Sequence, residues 1–226
     1  MDSVSGVGVI DKGVSILHAL RECPLDLVGL QRSCDLPRAT AHRLVVALEQ
    51  HHLVRRDADG RFCLGFELVA LGRAAAEQFP LAALASPELA ALRDECGESV
   101  QLYVRDDDGR RCVVSLHSPH ALRWNVPQGS LLPLGFGSAG KVLEGAPLSP
   151  GGWIASVEER EAGVASVSAP VVDRDGRVVA AVSVSGPLER LTRDPGTTFG
   201  AQVAAAGAAI GDAISATISA TMRASR

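Results

Sequence analysis

The sequence has little of what membrane spans, disulfide frameworks and zinc sites are built from. No apolar run reaches the roughly 18 residues of a transmembrane helix. The N-terminus also lacks the basic segment that precedes the apolar part of an export signal. The five cysteines are odd in number and never form a C-x-x-C pair, which argues against a disulfide framework and a zinc site. These absences predict a cytoplasmic protein with no membrane partner, no metal and no other cofactor.

Lysine is scarce, and the positive charge is unevenly placed. Lys12 and Lys141 are the only lysines, and the net charge is -4 over 226 residues. Five arginines nevertheless fall within one short stretch, namely Arg38, Arg43, Arg55, Arg56 and Arg61. An acidic protein with a local basic surface is expected to use that surface for a negatively charged partner.

The pattern of the first 65 residues predicts a winged helix-turn-helix. Helical periodicity indicates three helices, with Asp26 capping the second and Pro37 in the first turn of the third. Two short strands follow, at 53–56 and 61–64, with a turn between them at 57–60. We therefore expect a DNA-binding domain at 1–65, a linking helix within 66–80 and a second domain at 81–226.

The third helix has a face suited to the major groove of DNA. Its apolar stripe is formed by Ala41, Leu44, Val45 and Leu48, which follow helical spacing. The candidate DNA-contacting residues of the helix are Arg38, Ala39, Thr40, His42 and Arg43, and those of the hairpin are Arg55, Arg56 and Arg61. Arginine, histidine and threonine can reach base edges or phosphates, and a basic hairpin can contact phosphates or the minor groove. Solvated surface charge is the alternative, but turn, helix and basic hairpin together favour double-stranded DNA.

Residues 81–226 combine helical and strand periodicity. Helices are expected at 81–96 and from Asp194 to about Thr221, and two strand pairs lie between them. Because the strands come as hairpins and do not alternate with crossover helices, the sheet should be antiparallel. The whole chain is therefore predicted to be α+β, with a C-terminal sensor-like domain that binds an effector.

The segment GFGSAGK, residues 135–141, permits two interpretations. It fits the glycine patterns of nucleotide-binding loops, which makes a small nucleotide-using enzyme the alternative function. Val142, however, stands where a magnesium-binding Ser or Thr is needed, and no βαβ unit surrounds the segment. The other interpretation is a helix start with Ser138 as N-cap, whose backbone amides favour a carboxylate. Ser183 and Ser185 lie on one face of a strand and can point into the same cavity.

Several segments resemble the IclR family of transcriptional regulators over nearly the whole chain. They are GVGVIDKGVSILHAL, LVGLQRSCDLPRATAHRLVVALEQHHLVRRDADGRFCLGFELVALG, GSAGK and GVASVSAPVVDRDGRVVAAVSVSGPLERLT. Within the family the chain is most similar to NdgR-like regulators of leucine and other amino-acid biosynthesis. That narrower similarity is found in SGVGVIDK, ATAHRLVVALEQHHLV and EEREAGVASVSAP.

The resemblance implies a homodimer or tetramer that binds an inverted-repeat operator and responds to a small carboxylate metabolite. It places the effector contacts in the S-A-x-G-K segment and in two strands. The residues that match are Ser138, Ala139, Gly140, Ser166, Ser183 and Ser185.

The sequence departs from the family pattern in three places. Gln31 stands where the second helix usually has Ala, and Asp35 stands where the turn usually has Gly. Asp is among the few residues besides Gly that tolerate a left-handed backbone, so we expect the turn to form. Only VLEGAPLSPGG separates Lys141 from Trp153, where the family has a longer helical segment. The resemblance therefore implies that part of one wall of the effector pocket is missing.

Overall fold

The protein forms two compact units, Met1–Phe79 and Pro80–Arg226. The structure is a computed structural model that describes residues 7–78, 80–107 and 109–224, with side chains described up to residue 217. No helix in these ranges combines the length and the apolar character needed to cross a membrane.

The N-terminal unit begins with three helices, α1 (Gly8–Glu22), α2 (Leu27–Cys34) and α3 (Arg38–Gln50). Their inward faces supply a small core that includes the fully buried side chains of Ile16, Leu30 and Val45. Burying a side chain of this size stabilises the fold by about 1.5 to 3 kcal/mol. Asp26 caps α2 as predicted, since its carboxylate accepts a hydrogen bond of 2.7 Å from the Gly29 backbone N–H.

The turn between α2 and α3 depends on a left-handed residue. Asp35 has φ 51° and ψ 49°, and its backbone N–H donates to the carbonyl oxygen of Gln31, which closes the end of α2. Leu36 N–H donates to the same oxygen, at 3.1 Å. Asp35 thus adopts the left-handed conformation that explains why the family usually has glycine at this position. Gln31, the other departure from the family pattern in this region, is half-buried.

A short hairpin and a further helix complete the N-terminal unit. Strands β1 (Val54–Arg56) and β2 (Phe62–Leu64) are antiparallel, and Leu25 pairs with Phe62 as an isolated bridge beside them. Helix α4 (Glu67–Gln78) follows, and Phe79 lies outside the described residues. No side chain of α4 is buried, so this helix gains little stability from packing within the described part of its own chain.

The C-terminal unit is one six-stranded antiparallel sheet with helices on both faces. The sheet order is β5-β4-β3-β8-β7-β6. Its elements in chain order are α5 (Leu81–Cys96), β3 (Ser99–Asp106), β4 (Gly109–Leu116), β5 (Leu131–Pro133), α6 (Gly137–Leu143), β6 (Ile154–Val157), β7 (Val164–Val172), β8 (Val178–Pro187), α7 (Leu188–Leu191) and α8 (Pro195–Ala224). The predicted α+β class, with a helix-turn-helix before an antiparallel sheet, is confirmed.

The two faces of this sheet differ in chemistry. One face packs against α5 and α8 through side chains such as Leu102, Val167 and Val182, which form the main core. The opposite face carries Gln101, Ser183 and Ser185 near its centre, and α6 packs over part of it. Because strand residues alternate between faces, a largely apolar face and a polar face arise from the same strands.

The Asp35 backbone leads to a testable prediction about the helix-turn-helix. Asp35→Gly should leave the free energy of unfolding unchanged or raise it by up to about 1 kcal/mol, because glycine adopts positive φ without a steric penalty. Asp35→Val should lower it by roughly 1 to 2 kcal/mol, because a β-branched side chain disfavours this region. Urea denaturation measures both changes.

Asp59→Val is the matched control, because Asp59 is an exposed turn residue of the same unit without a positive φ. Its effect should stay within about 0.5 kcal/mol. An Asp35→Val chain as stable as the wild type would contradict the role given to the left-handed turn.

Candidate DNA interface and effector cavity

Helix α3 exposes a basic surface over its first two turns, and its one carboxylate, Glu49, lies in the last turn and pairs with Arg56. Arg38, Ala39, His42 and Arg43 are exposed on it, and Thr40 is half-buried at its edge. The opposite side supplies Ala41, Leu44 and Val45 to the core. Arg38, His42 and Arg43 form no side-chain hydrogen bond or ion pair with any residue in the described ranges. Their polar groups are therefore free to meet an anionic surface.

The three hairpin arginines differ in what they contact. Arg61 forms ion pairs of 3.0 Å with Asp57 and with Asp59, and its hydrogen bond to Asp57 raises the pKa of its guanidinium. Arg56 pairs with Glu49 at 3.1 Å and lies over the Phe62 ring at 4.2 Å from the ring centroid.

Arg55 is the remaining member of this set. It lies 5.0 Å from the centroid of the Phe66 ring and has no carboxylate partner among the described residues. The sequence predicted the same role for Arg55, Arg56 and Arg61. In the structure, Arg56 and Arg61 pair with carboxylates, and Arg55 does not.

A cavity lies on the polar face of the C-terminal sheet, beside α6. It encloses about 420 Å³ of empty space, part of which is open to solvent. Five of the six residues proposed for the effector line it, namely Ser138, Ala139, Ser166, Ser183 and Ser185.

The sixth, Gly140, lies behind the cavity wall. A Cβ at this position would overlap the Leu134 carbonyl oxygen and the Arg110 guanidinium, so Gly140 leaves room for these groups and does not itself line the cavity.

A hydroxyl network forms part of the cavity wall. Ser138 Oγ lies 2.7 Å from Ser166 Oγ and 2.7 Å from Ser168 Oγ, and Ser185 Oγ donates to Gln101 Oε1 at 2.8 Å. The prediction that Ser138 caps α6 is wrong, because the N-cap residue is Phe136 and no side chain caps the helix. The physical reason is that α6 begins at Gly137, so Ser138 lies inside the helix, and its buried hydroxyl is bonded to two serines of β7.

The start of α6 already holds a carboxylate of the protein. Glu159 accepts a hydrogen bond of 3.1 Å from Gly137 N–H and pairs with the ammonium group of Lys141. Partial burial raises the pKa of Glu159, but the hydrogen bonds from Lys141 and Gly137 N–H outweigh this and lower the pKa overall. Glu159 therefore binds both the backbone amide of Gly137, at the helix start where we expected a ligand carboxylate, and the side chain of Lys141 in the glycine-rich segment.

The cavity contains residues that the sequence interpretation missed. Tyr103, Arg110, Trp124 and Arg160 all line it. The carboxylate was expected to be held by hydroxyls and dipoles because the β8 strand has no Lys or Arg, but Arg110 enters from β4 and Arg160 from the loop before β7. Arg110 lies two residues before the buried Cys112 on β4, so both side chains point to the same face of the sheet. An arginine on a buried strand face is unusual, and this spacing could have identified Arg110 as a cavity residue from the sequence.

The short segment after Lys141 does not abolish the cavity. Trp124 and residues 159–161 also line the cavity, and the Arg160 guanidinium lies 5.1 Å from the centroid of the Trp124 ring. Within the described ranges no group of three or more His, Cys, Asp or Glu side chains could hold a metal ion.

Comparison with protein families gives two matches in the same order as the two units. Residues 9–58 match the IclR helix-turn-helix domain. Residues 149–212 match the family described as bacterial transcriptional regulator IclR C-terminal.

The chain is also similar to characterised proteins over most of its length. It is 30% identical to the glycerol operon regulatory protein of Streptomyces coelicolor, over 82% of this chain and 87% of that protein. It is 25% identical to the transcriptional repressor IclR of Escherichia coli, over 87% and 86%.

Two solved structures show the same fold. One is an IclR homologue from Microbacterium hydrocarbonoxydans in complex with 4-hydroxybenzoate, with a TM-score of 0.77, 21% identity and coverage of 92% of this chain and 99% of that one. The other is the IclR protein of Thermotoga maritima, with a TM-score of 0.74, 19% identity and coverage of 92% and 99%.

Proposed function

Because this chain belongs to the IclR family of bacterial transcriptional regulators, we propose that α3 and the β1–β2 hairpin bind an operator and that the sheet cavity binds a small carboxylate that changes operator affinity. The observation that carries the proposal is the exposed surface over the first two turns of α3, where Arg38 and Arg43 have no ion-pair partner among the described residues and no acidic side chain occurs. Such a face attracts phosphates and can reach base edges in the major groove. We place this activity in the cytoplasm, where bacterial DNA lies.

The alternative function, a nucleotide-using enzyme, is not supported. The similar proteins are transcriptional regulators and not enzymes. In addition, Lys141 of GFGSAGK is paired with Glu159, which would repel a phosphate at that position.

The proposed interface gives different predictions for helix and hairpin. Arg43→Ala should weaken operator binding by about 1 to 3 kcal/mol and flatten discrimination between sequences, because Arg43 is proposed to contact a base. Arg55→Ala should weaken all duplexes alike and reduce the salt slope by about one, because Arg55 is proposed to contact a phosphate. Fluorescence anisotropy with operator and unrelated duplexes at several salt concentrations measures both effects.

Arg177→Ala, an exposed arginine of the C-terminal unit, controls for loss of positive charge elsewhere. Unchanged DNA binding by both Arg43→Ala and Arg55→Ala would refute the placement of helix and hairpin on DNA.

We further propose that the active form is a homodimer or a tetramer built from dimers. Helix α4 buries none of its side chains; Val69 and Leu71 on it are exposed, and so is Phe66 just before it. Val9 and Ile10 on α1 are exposed as well. A helix that buries no side chain within the described part of its own chain and exposes large apolar residues is a candidate subunit contact. Two-fold symmetry would then require an operator with inverted half-sites.

The oligomer proposal is tested by Val69→Glu. A charge in this contact should shift the chain toward monomer in analytical ultracentrifugation and reduce affinity for an inverted repeat toward that for a single half-site. Val178→Glu, at an exposed valine of the C-terminal unit, is the matched control. The proposal fails if the wild-type chain sediments as a monomer and binds one half-site with full affinity.

The effector proposal is supported by the chemistry of the cavity. Serine hydroxyls line one side, and two arginines add positive charge. The similar Microbacterium protein was solved with 4-hydroxybenzoate, which is also a carboxylate. From the resemblance to NdgR-like regulators we propose an effector from leucine or other amino-acid biosynthesis. Genome-wide DNA capture with the purified protein tests the pathway, since bound promoters outside amino-acid metabolism would contradict it.

Ser183 provides a test of the cavity that leaves the hydroxyl network intact. Its hydroxyl lines the cavity and forms no hydrogen bond with another described residue, whereas Ser185 supports Gln101. Ser183→Ala should weaken binding of an effector acid by about 0.5 to 1.5 kcal/mol, the usual net value of one hydrogen bond.

Calorimetric titration of leucine, its 2-oxo acid and 4-hydroxybenzoate measures this change. Ser86→Ala, on the exposed side of α5, is the control. If none of the acids produces heat of binding, the proposal that the cavity binds an effector is wrong, but the proposal that the protein binds DNA is unaffected.

A further inference from the structure

Arg110 of β4 is a buried cation whose hydrogen bonds all go to backbone carbonyl groups, and its guanidinium lies 5.5 Å from the centroid of the Tyr103 ring. It is 3% exposed. Its Nη1 donates to the carbonyl oxygens of Pro133, of Leu134 at 3.3 Å and of Phe136 at 2.6 Å. Gly140 makes this arrangement possible, because a side chain there would occupy the position of the guanidinium. The side chain is therefore fixed in place at the cavity wall.

Arg110 forms no ion pair with a carboxylate in the described part of the chain, and the Glu144 carboxylate acts on its charge only from beyond contact distance. Nε is inaccessible and makes no hydrogen bond, Nη2 makes none either, and no carboxylate lies within ion-pair distance. Burial is the largest influence and lowers the pKa of the guanidinium; Tyr103 and Glu144 raise this pKa and the positive charge of Arg160 lowers it, and the pKa is lowered overall. Arginine is almost never fully buried without a paired anion, because removing the charge from water is costly. An anion entering the cavity supplies the missing charge.

The position of Nη2 indicates where such an anion would bind. Nη2 lies 3.5 Å from the point that a Cβ of Gly137 would occupy, and Gly137 itself lines the cavity. The backbone N–H of Gly137 is already bonded to Glu159, so the free donor at this end of the cavity belongs to Arg110.

We propose that Arg110 selects anionic effectors by pairing with the effector carboxylate inside the cavity. The inference rests on the proposed function as an effector-responsive regulator, and it names the residue that sets the charge preference. The preferred ligand is a small organic carboxylate whose remaining polar groups meet the serine hydroxyls, with Ser183 the first available. A planar guanidinium matches a carboxylate in shape as well as charge.

The test compares acids with their neutral amides, which have nearly the same shape. Calorimetry is performed with 4-hydroxybenzoate and 4-hydroxybenzamide, and with isovalerate and isovaleramide. Wild-type protein should bind each acid at least about tenfold more tightly than its amide, and Arg110→Gln should reduce this preference to within about twofold. Arg111→Gln is the matched control, because the neighbouring Arg111 pairs with Asp106 and does not line the cavity.

The Glu159→Gln variant distinguishes carboxylate binding by Arg110 from carboxylate binding at the start of α6. It should retain the preference for acids if Arg110 holds the carboxylate. If Glu159→Gln instead strengthens acid binding while folded Arg110→Gln keeps the wild-type preference, the anion binds at Gly137 and the proposal is overturned.

Equal binding of acid and amide by the wild type, or binding of neither, also overturns the proposal. If thermal unfolding shows that Arg110→Gln is not folded, Arg110→Lys replaces it. That variant retains the charge and must still prefer the acid, and loss of the preference contradicts the proposal. Operator binding is measured on the same samples, so a failure to bind DNA, which concerns the proposed function, is distinguished from a failure to discriminate acids.

Discussion

The alternation of side chains along β8 constrains the whole C-terminal unit. Val182 and Val184 project into the main core, whereas Ser183 and Ser185 project to the other face. A shift of one residue in register would exchange the two sets and bury hydroxyls in the apolar core, so the pairing with β3 and β7 is strongly specified. The same alternation that stabilises the sheet therefore places a polar surface beneath α6.

A polar surface beneath a helix must satisfy its hydrogen-bonding groups or leave them to a ligand. Much of this surface satisfies itself. Ser138 bonds to two serines of β7, Ser185 bonds to Gln101, and Glu159 engages both the start of α6 and Lys141. Other groups do not: Gln101 Nε2 and the Ser183 hydroxyl have no hydrogen-bond partner among the described residues, and carbonyl oxygens hold the geometry of Arg110 without neutralising its charge. The positive charge at the cavity thus comes from Arg110 of β4 and Arg160 of the loop before β7, whereas Lys141 of the glycine-rich segment is paired with Glu159.

Local patterns predicted the elements well, and long-range contacts account for what they missed. Asp26 as a cap, the left-handed turn at Asp35 and the helix at 81–96 all follow from spacing and turn chemistry within a few residues. Ser138 is also a good capping residue by local rules, but β7 brings Ser166 and Ser168 to it from about 30 residues away. The entry of Arg110 into the cavity likewise depends on three-dimensional proximity, whereas the pairing of Arg61 with Asp57 and Asp59 is local to the hairpin turn. Composition and periodicity carry no information about such contacts.

Regulation requires that the cavity ligand prefer one of two states that differ in DNA affinity, since a ligand with equal affinity for both shifts nothing. The most direct measurement is the affinity of the wild-type protein for an operator fragment, recovered by DNA capture, with and without a saturating carboxylate that binds the cavity. A coupling free energy of about 1 to 3 kcal/mol predicts a change in operator affinity of about 5-fold to 150-fold. The same operator affinity in both conditions would contradict the account, because the cavity would then have no effect on DNA binding.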